Sequence, residues 1–153
     1  MSIEPVRKNI TVATSQEHAF RVFTAGMDTW WPREHQIGGS PTARTVLEPH
    51  EGGRWYSVDD AGSESDVGRV LAWEPPRRVV LGWQLTASWQ YDAALITEVE
   101  VTFIAEGTKR TRVELEHRNL DRYGAAAPDL RKTVDTEGGW ALTLSSFARA
   151  AEA

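Results

Sequence analysis

Two alternating runs joined by a short turn constrain the fold of this 153-residue chain most strongly. Apolar and polar residues alternate over 97–105 and over 111–118, with Glu106-Gly107-Thr108-Lys109 between the two runs. A period of two predicts strands with one buried face, and the short Gly-containing loop predicts a hairpin. The inward face would carry Val99, Val101, Phe103, Val113, Leu115 and His117.

The segments before this hairpin predict more strands of the same kind. A first strand is expected over 3–13, followed by a short apolar-striped helix around 19–23 and a second short helix over 28–32, which Pro32 ends. Further strands are expected over 44–48, 53–58, 66–73 and 78–85, with short turns between most of them. A bulge near Gly68 would switch the buried face of the 66–73 strand.

The C-terminal segment predicts a long helix. Over roughly the last 25 residues, apolar side chains recur at three- and four-residue steps. Gly138 and Gly139 interrupt this pattern, and each glycine weakens a helix by about 1 kcal/mol relative to alanine. We therefore expect that the helix starts near Trp140, that it is kinked, or that the backbone approaches another segment closely at the two glycines.

Together these elements predict an α+β fold in one domain over residues 1–153. Strands joined by short turns pair antiparallel. A curved antiparallel sheet of about six or seven strands, wrapped around the long C-terminal helix, would bury the apolar faces of both.

Composition narrows the class of function. The net charge of −5 argues against nucleic acid as a partner, because that binding depends on Lys and Arg at phosphates. No apolar run reaches membrane-spanning length and no signal peptide is visible, so we expect a cytoplasmic protein without a membrane partner. With no cysteine and four scattered histidines, a metal site is not expected, and with no Gly-x-Gly-x-x-Gly or P-loop motif a cofactor is not expected either.

Seven tryptophans are unusual for a chain of this length. Trp has a large ring and an N–H that needs a partner when buried, so aliphatic residues would fill an ordinary core more simply. Such a set favours a wide apolar interior suited to a small molecule, although any single Trp is more often core filler.

Motifs along nearly the whole chain resemble the START-like helix-grip (SRPBCC) superfamily, in the subgroup named after the activator of Hsp90 ATPase. The matching motifs include Trp30-Trp31-Pro32, Gly52-Gly53-Arg54-Trp55, Trp73-Glu-Pro75-Pro76 and Gly138-Gly139-Trp140. The resemblance implies a cavity between the sheet and the last helix. Relatives in this superfamily include lipid and hormone carriers, polyketide cyclases, ring-hydroxylase domains and co-chaperones, so the fold alone does not decide the function.

The inward strand faces and the apolar helix positions predict which residues line that cavity, although on the 53–58 strand Trp55 and Ser57 compete with Tyr56 and Val58 for the inward face. These are Trp30, Trp31, Trp55, Trp83, Val101, Phe103, Leu115, His117, Trp140, Leu144 and Phe147. His117 is the polar group on an apolar face, and two interpretations stay open: a strand-end histidine bonded to a neighbouring backbone group, or a ligand anchor or general acid/base. In the second case His117→Ala should weaken binding with little loss of stability. His35 would lie at the cavity mouth or be a solvated loop residue.

Three functions compete on this sequence. The first is a module that binds a small hydrophobic or aromatic ligand, as a monomer or homodimer. The second is a cofactor-free cyclase, dehydratase or hydrolase in the same cavity, with His117 as candidate catalytic residue and a second polar residue that the pattern does not supply. The third is an interaction module resembling the Hsp90 co-chaperones.

Overall fold

The computed structural model describes residues 3–32 and 42–153, in which the chain forms seven strands and three α-helices. His35 lies outside the described residues. In chain order the elements are β1 (Val6–Val12), α1 (Gln16–Phe23), β2 (Thr42–Leu47), β3 (Arg54–Asp59), β4 (Glu64–Glu74), β5 (Arg78–Trp83), β6 (Thr97–Gly107), β7 (Arg110–Arg118), α2 (Ala127–Val134) and α3 (Leu142–Ala151). Two 3₁₀ segments, Met27–Thr29 and Leu120–Ala126, and a π-helical turn, Glu137–Ala141, complete the set.

The seven strands form one antiparallel sheet in the order β1-β7-β6-β5-β4-β3-β2. Chain neighbours therefore lie side by side, except that β1 closes onto β7. α3 contacts β1 and α1, and α1 in turn contacts β6 and β7. The curled sheet with C-terminal helices packed against it confirms the predicted α+β helix-grip architecture.

The β6–β7 hairpin has the faces that its alternation predicts. Val99, Val101 and Phe103 are fully buried on β6, as are Val113 and His117 on β7. The two strands pair without a shift from Glu98↔Arg118 to Ala105↔Thr111. This regular register keeps one face apolar and leaves the other to charged side chains.

The outer face carries cross-strand ion pairs. Arg118 on β7 reaches Glu98 at 2.8 Å and Glu100 at 2.6 Å on β6, and Arg78 on β5 also contacts Glu100. Arg78 and Arg118 hold the pKa of the Glu100 carboxyl below its usual value. These partly exposed pairs contribute little stability, but they mark this face as solvated.

The bulge near Gly68, which the sequence left open, is present. β4 pairs with β3 through Trp55↔Gly68 and then Tyr56↔Asp66, so Val67 is the extra residue. A Cβ at Gly68 would lie 1.5 Å from the carbonyl oxygen of Gly82, and no other residue type fits there. A bulge bends a strand, and this one curves the sheet between β3 and β5.

The C-terminal helical segment is kinked, which is one of the alternatives left open by the sequence. α2 and α3 are separated by the π-helical turn, in which Gly139 has non-helical backbone angles (φ −91°, ψ −124°). A Cβ at Gly139 would lie 2.3 Å from the carbonyl oxygen of Val134, so the close approach is confirmed there. At Gly138 the expected close approach of the backbone is wrong, since a Cβ there would meet nothing within 4 Å. The break directs Trp140 into the interior.

Candidate functional site

All the predicted lining side chains lie buried on the inner side of the sheet. None of them is more than 6% exposed, the value for Trp83. The apolar members belong to one core cluster, and the His117 ring contacts Trp83 and Trp140. Trp30 and Trp31, predicted to lie in a second short helix, directly follow the 3₁₀ segment Met27–Thr29.

Four tryptophans form a closed ring of contacts, which we call the indole quartet: Trp31, Trp55, Trp83 and Trp140. Going round the quartet, the ring centroids are 5.5, 5.7, 5.4 and 6.2 Å apart. Each contact is edge-to-face, the arrangement that the charge distribution of aromatic rings favours. The four side chains come from distant segments, so the quartet ties the β3 and β5 strands to the turn before α3.

His117 is held by hydrogen bonds at both ring nitrogens. The Trp140 indole N–H donates to Nδ1 at 3.1 Å, and Nε2 lies 2.9 Å from the Thr97 hydroxyl. That hydroxyl donates its own proton to the Trp83 carbonyl at 3.0 Å, so it accepts from Nε2–H. Burial lowers the pKa of His117 to about 3. The imidazole is therefore neutral near pH 7, with neither nitrogen free for a ligand.

The indole N–H groups of the interior fall into two kinds. Trp30 Nε1 donates to the Val22 carbonyl at 2.7 Å, and Trp140 Nε1 donates to His117. Trp55 Nε1 and Trp83 Nε1 are buried and have no hydrogen-bond partner among the described residues. A buried donor without a partner lowers the stability of the fold by about 1–3 kcal/mol. Two such donors in adjacent rings therefore call for a functional explanation.

Tyr123 is a polar neighbour of the quartet that no sequence motif indicated. Its hydroxyl donates to the Leu85 carbonyl at 2.5 Å. Burial raises the pKa of Tyr123 to about 12, with the Thr97 hydroxyl and the Trp83 indole opposing that rise. Trp83 Nε1 thus lies close enough to act on the phenol, but without the geometry of a hydrogen bond. Trp55 Nε1 is therefore the clearer vacant donor of the two.

Trp89 covers the quartet from the solvent side. Its ring is 39% exposed and lies 6.3 Å from the Trp83 ring. Its backbone has a φ of 61°, in the left-handed region that costs a non-glycine residue about 1–2 kcal/mol. The Thr86 hydroxyl accepts hydrogen bonds from Ser88 and Gln90 and so fixes this loop tip.

Two open depressions lie on the surface, and no member of the quartet lines either of them. One, of about 380 Å³, lies between α1 and the β4–β5 turn and is lined by Trp73 and prolines. The other, of similar volume, lies beside Tyr123 and Arg122. None of the predicted lining residues borders either depression.

Two further observations concern metal ions and membranes. Within residues 3–32 and 42–153, no group of three or more His, Asp or Glu side chains is placed to hold a metal ion. In the same part of the chain, none of the helices has both the length and the apolar character needed to cross a membrane.

Comparison with known proteins places this fold in a family. Residues 13–152 match the family model described as activator of Hsp90 ATPase homolog 1-like protein. The chain therefore belongs to that family, within the helix-grip class of proteins. No curated protein shows a significant match.

Two solved structures are similar in sequence as well as in fold. The anthrahydroquino-γ-pyrone synthase Txn09, complexed with SUM, is 40% identical over 97% of both chains, with a TM-score of 0.68. The self-sacrificing resistance protein CalC from Micromonospora echinospora is 32% identical over 97% of this chain and 94% of that one, with a TM-score of 0.72. The Aha1 dimer from Colwellia psychrerythraea, 19% identical over 98% and 97% of the two chains (TM-score 0.60), shares the fold.

Proposed function

We propose that this protein binds an aromatic small molecule that carries oxygen acceptors, in the interior around the indole quartet. The observation that carries the proposal is the buried, unpaired N–H of Trp55 within a set of contacting aromatic rings. A fused aromatic ligand would pack on the indole faces, and a carbonyl or hydroxyl oxygen would accept from Trp55 Nε1. Binding then removes the cost of the vacant donor.

The name of the similar protein at 40% identity supports a ligand of this class. Txn09 is named as the synthase of an anthrahydroquino-γ-pyrone, a name that denotes an oxygenated fused-ring compound. CalC is named as a self-sacrificing resistance protein, and its name specifies no ligand class. An interior that holds an oxygenated fused-ring molecule would suit the activity for which Txn09 is named.

A cofactor-free synthase or cyclase is the second candidate, because the similar protein at 40% identity is named as a synthase. His117 does not fit a proton-transfer role: its pKa is about 3 and both nitrogens are bonded within the protein. It is also the one titratable side chain among the fully buried described residues. Catalysis here would depend on holding a reactive conformer and on N–H groups that polarise a carbonyl.

Titration with anthraquinone-2-sulfonate, followed by intrinsic tryptophan emission, tests the proposal. We expect saturable quenching with one site per chain. Trp55→Phe keeps an aromatic ring but removes the N–H, and should weaken binding about ten-fold, the effect of one lost hydrogen bond to a buried group. Trp73→Phe is the matched control, since Trp73 is half-buried beside Phe20 and outside the quartet.

Two outcomes would count against the proposal. A flat titration of the wild-type protein would remove its basis. Equal weakening by Trp55→Phe and Trp73→Phe would show that the Trp55 N–H has no part in binding.

Native mass spectrometry of the protein as purified from its host would show whether a small molecule of this class is retained.

A further inference from the structure

A row of hydroxyl side chains crosses three neighbouring strands of the sheet beside Trp55. Thr45 on β2 is paired with Ser57 on β3, and Ser57 is paired with Ser65 on β4. Directly paired residues of antiparallel strands project from the same face, so the three hydroxyls form a line across the sheet. We call Thr45, Ser57 and Ser65 the hydroxyl row.

The hydroxyl row lies on the inner face. Thr45 is 2% exposed and Ser57 is 4% exposed, while Ser65 is half-buried at the outer end of the row. Ser57 lies two residues from Trp55 on the same strand, and alternation places both on one face. Since Trp55 contacts Trp31 and Trp83 of the quartet, the row adjoins the quartet on the β2–β3 side.

Thr45 differs from the other buried threonines of the described chain. Thr24, Thr97, Thr111 and Thr143 each donate their hydroxyl proton to a backbone carbonyl, at distances of 2.7–3.1 Å. Thr45 Oγ1 is buried and has no hydrogen-bond partner among the described residues. Its backbone N–H donates to Asp28 Oδ1 at 2.8 Å, which fixes the strand at that point but leaves the hydroxyl vacant.

The chemistry of the row defines what it would accept. Hydroxyl groups both donate and accept, and Trp55 Nε1 adds one donor on β3, next to Ser57 in the middle of the row. Among the fully buried described residues, none carries a charge, since His117 is neutral. Such a site suits neutral oxygen atoms, because a buried ion without an opposite charge is strongly disfavoured.

We propose that the hydroxyl row and Trp55 Nε1 form a polar subsite for the carbonyl and hydroxyl oxygens of the ligand, while the indole quartet holds its ring faces. This inference rests on the proposed function and assigns the polar recognition to β2 and β3. A ligand anchor at His117 was one of two interpretations that the sequence left open, and both nitrogens of His117 are bonded within the protein.

A matched pair of probes isolates the oxygen contacts. Anthraquinone-2-sulfonate and anthracene-2-sulfonate share a three-ring frame and a sulfonate at one end, which is to stay in solvent in both complexes, and differ in two carbonyl oxygens. The ratio of their dissociation constants therefore reports the carbonyl contacts, and isothermal titration calorimetry measures both constants.

Thr45→Val and Ser57→Ala are the variants, with Thr102→Val on the outer face of β6 as control. We expect Thr45→Val to weaken binding of anthraquinone-2-sulfonate about ten-fold, the effect of losing one hydrogen bond to a buried group. Ser57→Ala should shift the ratio in the same direction. Binding of anthracene-2-sulfonate should stay within about two-fold in every variant, as should both constants of Thr102→Val.

The outcomes separate this inference from the proposed function. If both probes bind the wild-type protein and neither Thr45→Val nor Ser57→Ala changes their ratio, the subsite is wrong and the binding function stands. Equal weakening of both probes would make the row structural and would also overturn the subsite. If neither probe binds the wild-type protein, the proposed function and the subsite fall together.

Discussion

The β6–β7 hairpin and the β2–β3 hairpin place buried polar side chains on the inner face of one sheet, but they satisfy them differently. On β6 and β7, Thr97, Thr111 and His117 all have hydrogen-bond partners. On β2 and β3, Thr45 Oγ1 and Trp55 Nε1 have none among the described residues. The register differs as well, because β6 and β7 pair regularly up to their turn, while β2–β3 and β3–β4 each contain a shift.

This difference in hydrogen bonding distinguishes a region that stabilises the fold from a region that would bind a ligand. A fully bonded buried network stabilises one arrangement, whereas vacant donors and acceptors lower stability until a ligand pairs with them. The β6–β7 region with His117 and Trp140 therefore has the character of a scaffold. The β2–β3 region has the character of a recognition surface, and each prediction below tests that assignment.

His117→Ala should have the largest effect on stability. It removes a fully buried ring, leaves the Trp140 N–H without an acceptor, and opens a cavity under the quartet. We expect the free energy of unfolding to fall by about 3–5 kcal/mol in urea denaturation, as for large-to-small core substitutions. From the sequence alone, little loss of stability was expected for the case in which His117 anchors a ligand, and the observed hydrogen bonds of His117 replace that expectation.

Glu116→Ala is the control for His117→Ala, on the opposite face of the same strand. Glu116 is half-buried and pairs with the exposed Arg7 at 3.5 Å, so its loss should change stability by no more than about 0.5 kcal/mol. Similar losses in the two variants would contradict a scaffold role for His117.

Gly139→Ala should come next, because the turn before α3 carries Trp140 to His117. A Cβ at Gly139 would overlap the Val134 carbonyl, and relieving such an overlap typically costs about 1–3 kcal/mol. Gly138→Ala has open space around it and should be neutral or slightly stabilising. Thermal unfolding of the two variants checks this, and equal effects would rule out the close approach at Gly139.

Acidification should destabilise the protein through His117. Its pKa is lowered to about 3 in the folded state, below the ordinary value of 6.5, so the unfolded chain binds more protons between these values. Stability therefore falls as pH falls from 6.5, by about 1.5 kcal/mol on reaching about pH 5. In His117→Gln this part of the pH dependence should vanish, and a profile like that of the wild type would contradict the buried neutral imidazole.

Two threonine variants of equal chemistry should have small effects of opposite sign. Thr97→Val removes the acceptor for His117 and should lower stability by about 1 kcal/mol. Thr45→Val removes a vacant buried hydroxyl and should raise stability by up to about 1 kcal/mol in the ligand-free protein. If both lower stability equally, the contrast between the two hairpins is lost.

The inner face of β6 and β7 was predictable because strict alternation with charged residues between apolar ones leaves one possible face. The face of β4 was ambiguous until the bulge at Gly68 and its contact with Gly82 were seen. The sequence could not predict that the Thr97 hydroxyl is hydrogen-bonded and the Thr45 hydroxyl is not, because both threonines lie in similar strand patterns. Their difference depends on which carbonyl the fold brings within reach, as with the Trp83 carbonyl beside Thr97.

Indole N–H resonances give the most direct test of the account. With ¹⁵N-labelled tryptophan and assignment by single Trp→Phe variants, the complexes with anthraquinone-2-sulfonate and anthracene-2-sulfonate can be compared. We expect the Trp55 Nε1–H proton to move downfield between the two complexes more than any other indole proton, because a carbonyl oxygen accepts its hydrogen bond. Trp30 and Trp140, whose N–H groups are already bonded, should differ little. If the Trp55 Nε1–H shift is the same in both complexes while the shift of Trp30 or Trp140 differs strongly, the claim that the vacant donor recognises the ligand is contradicted.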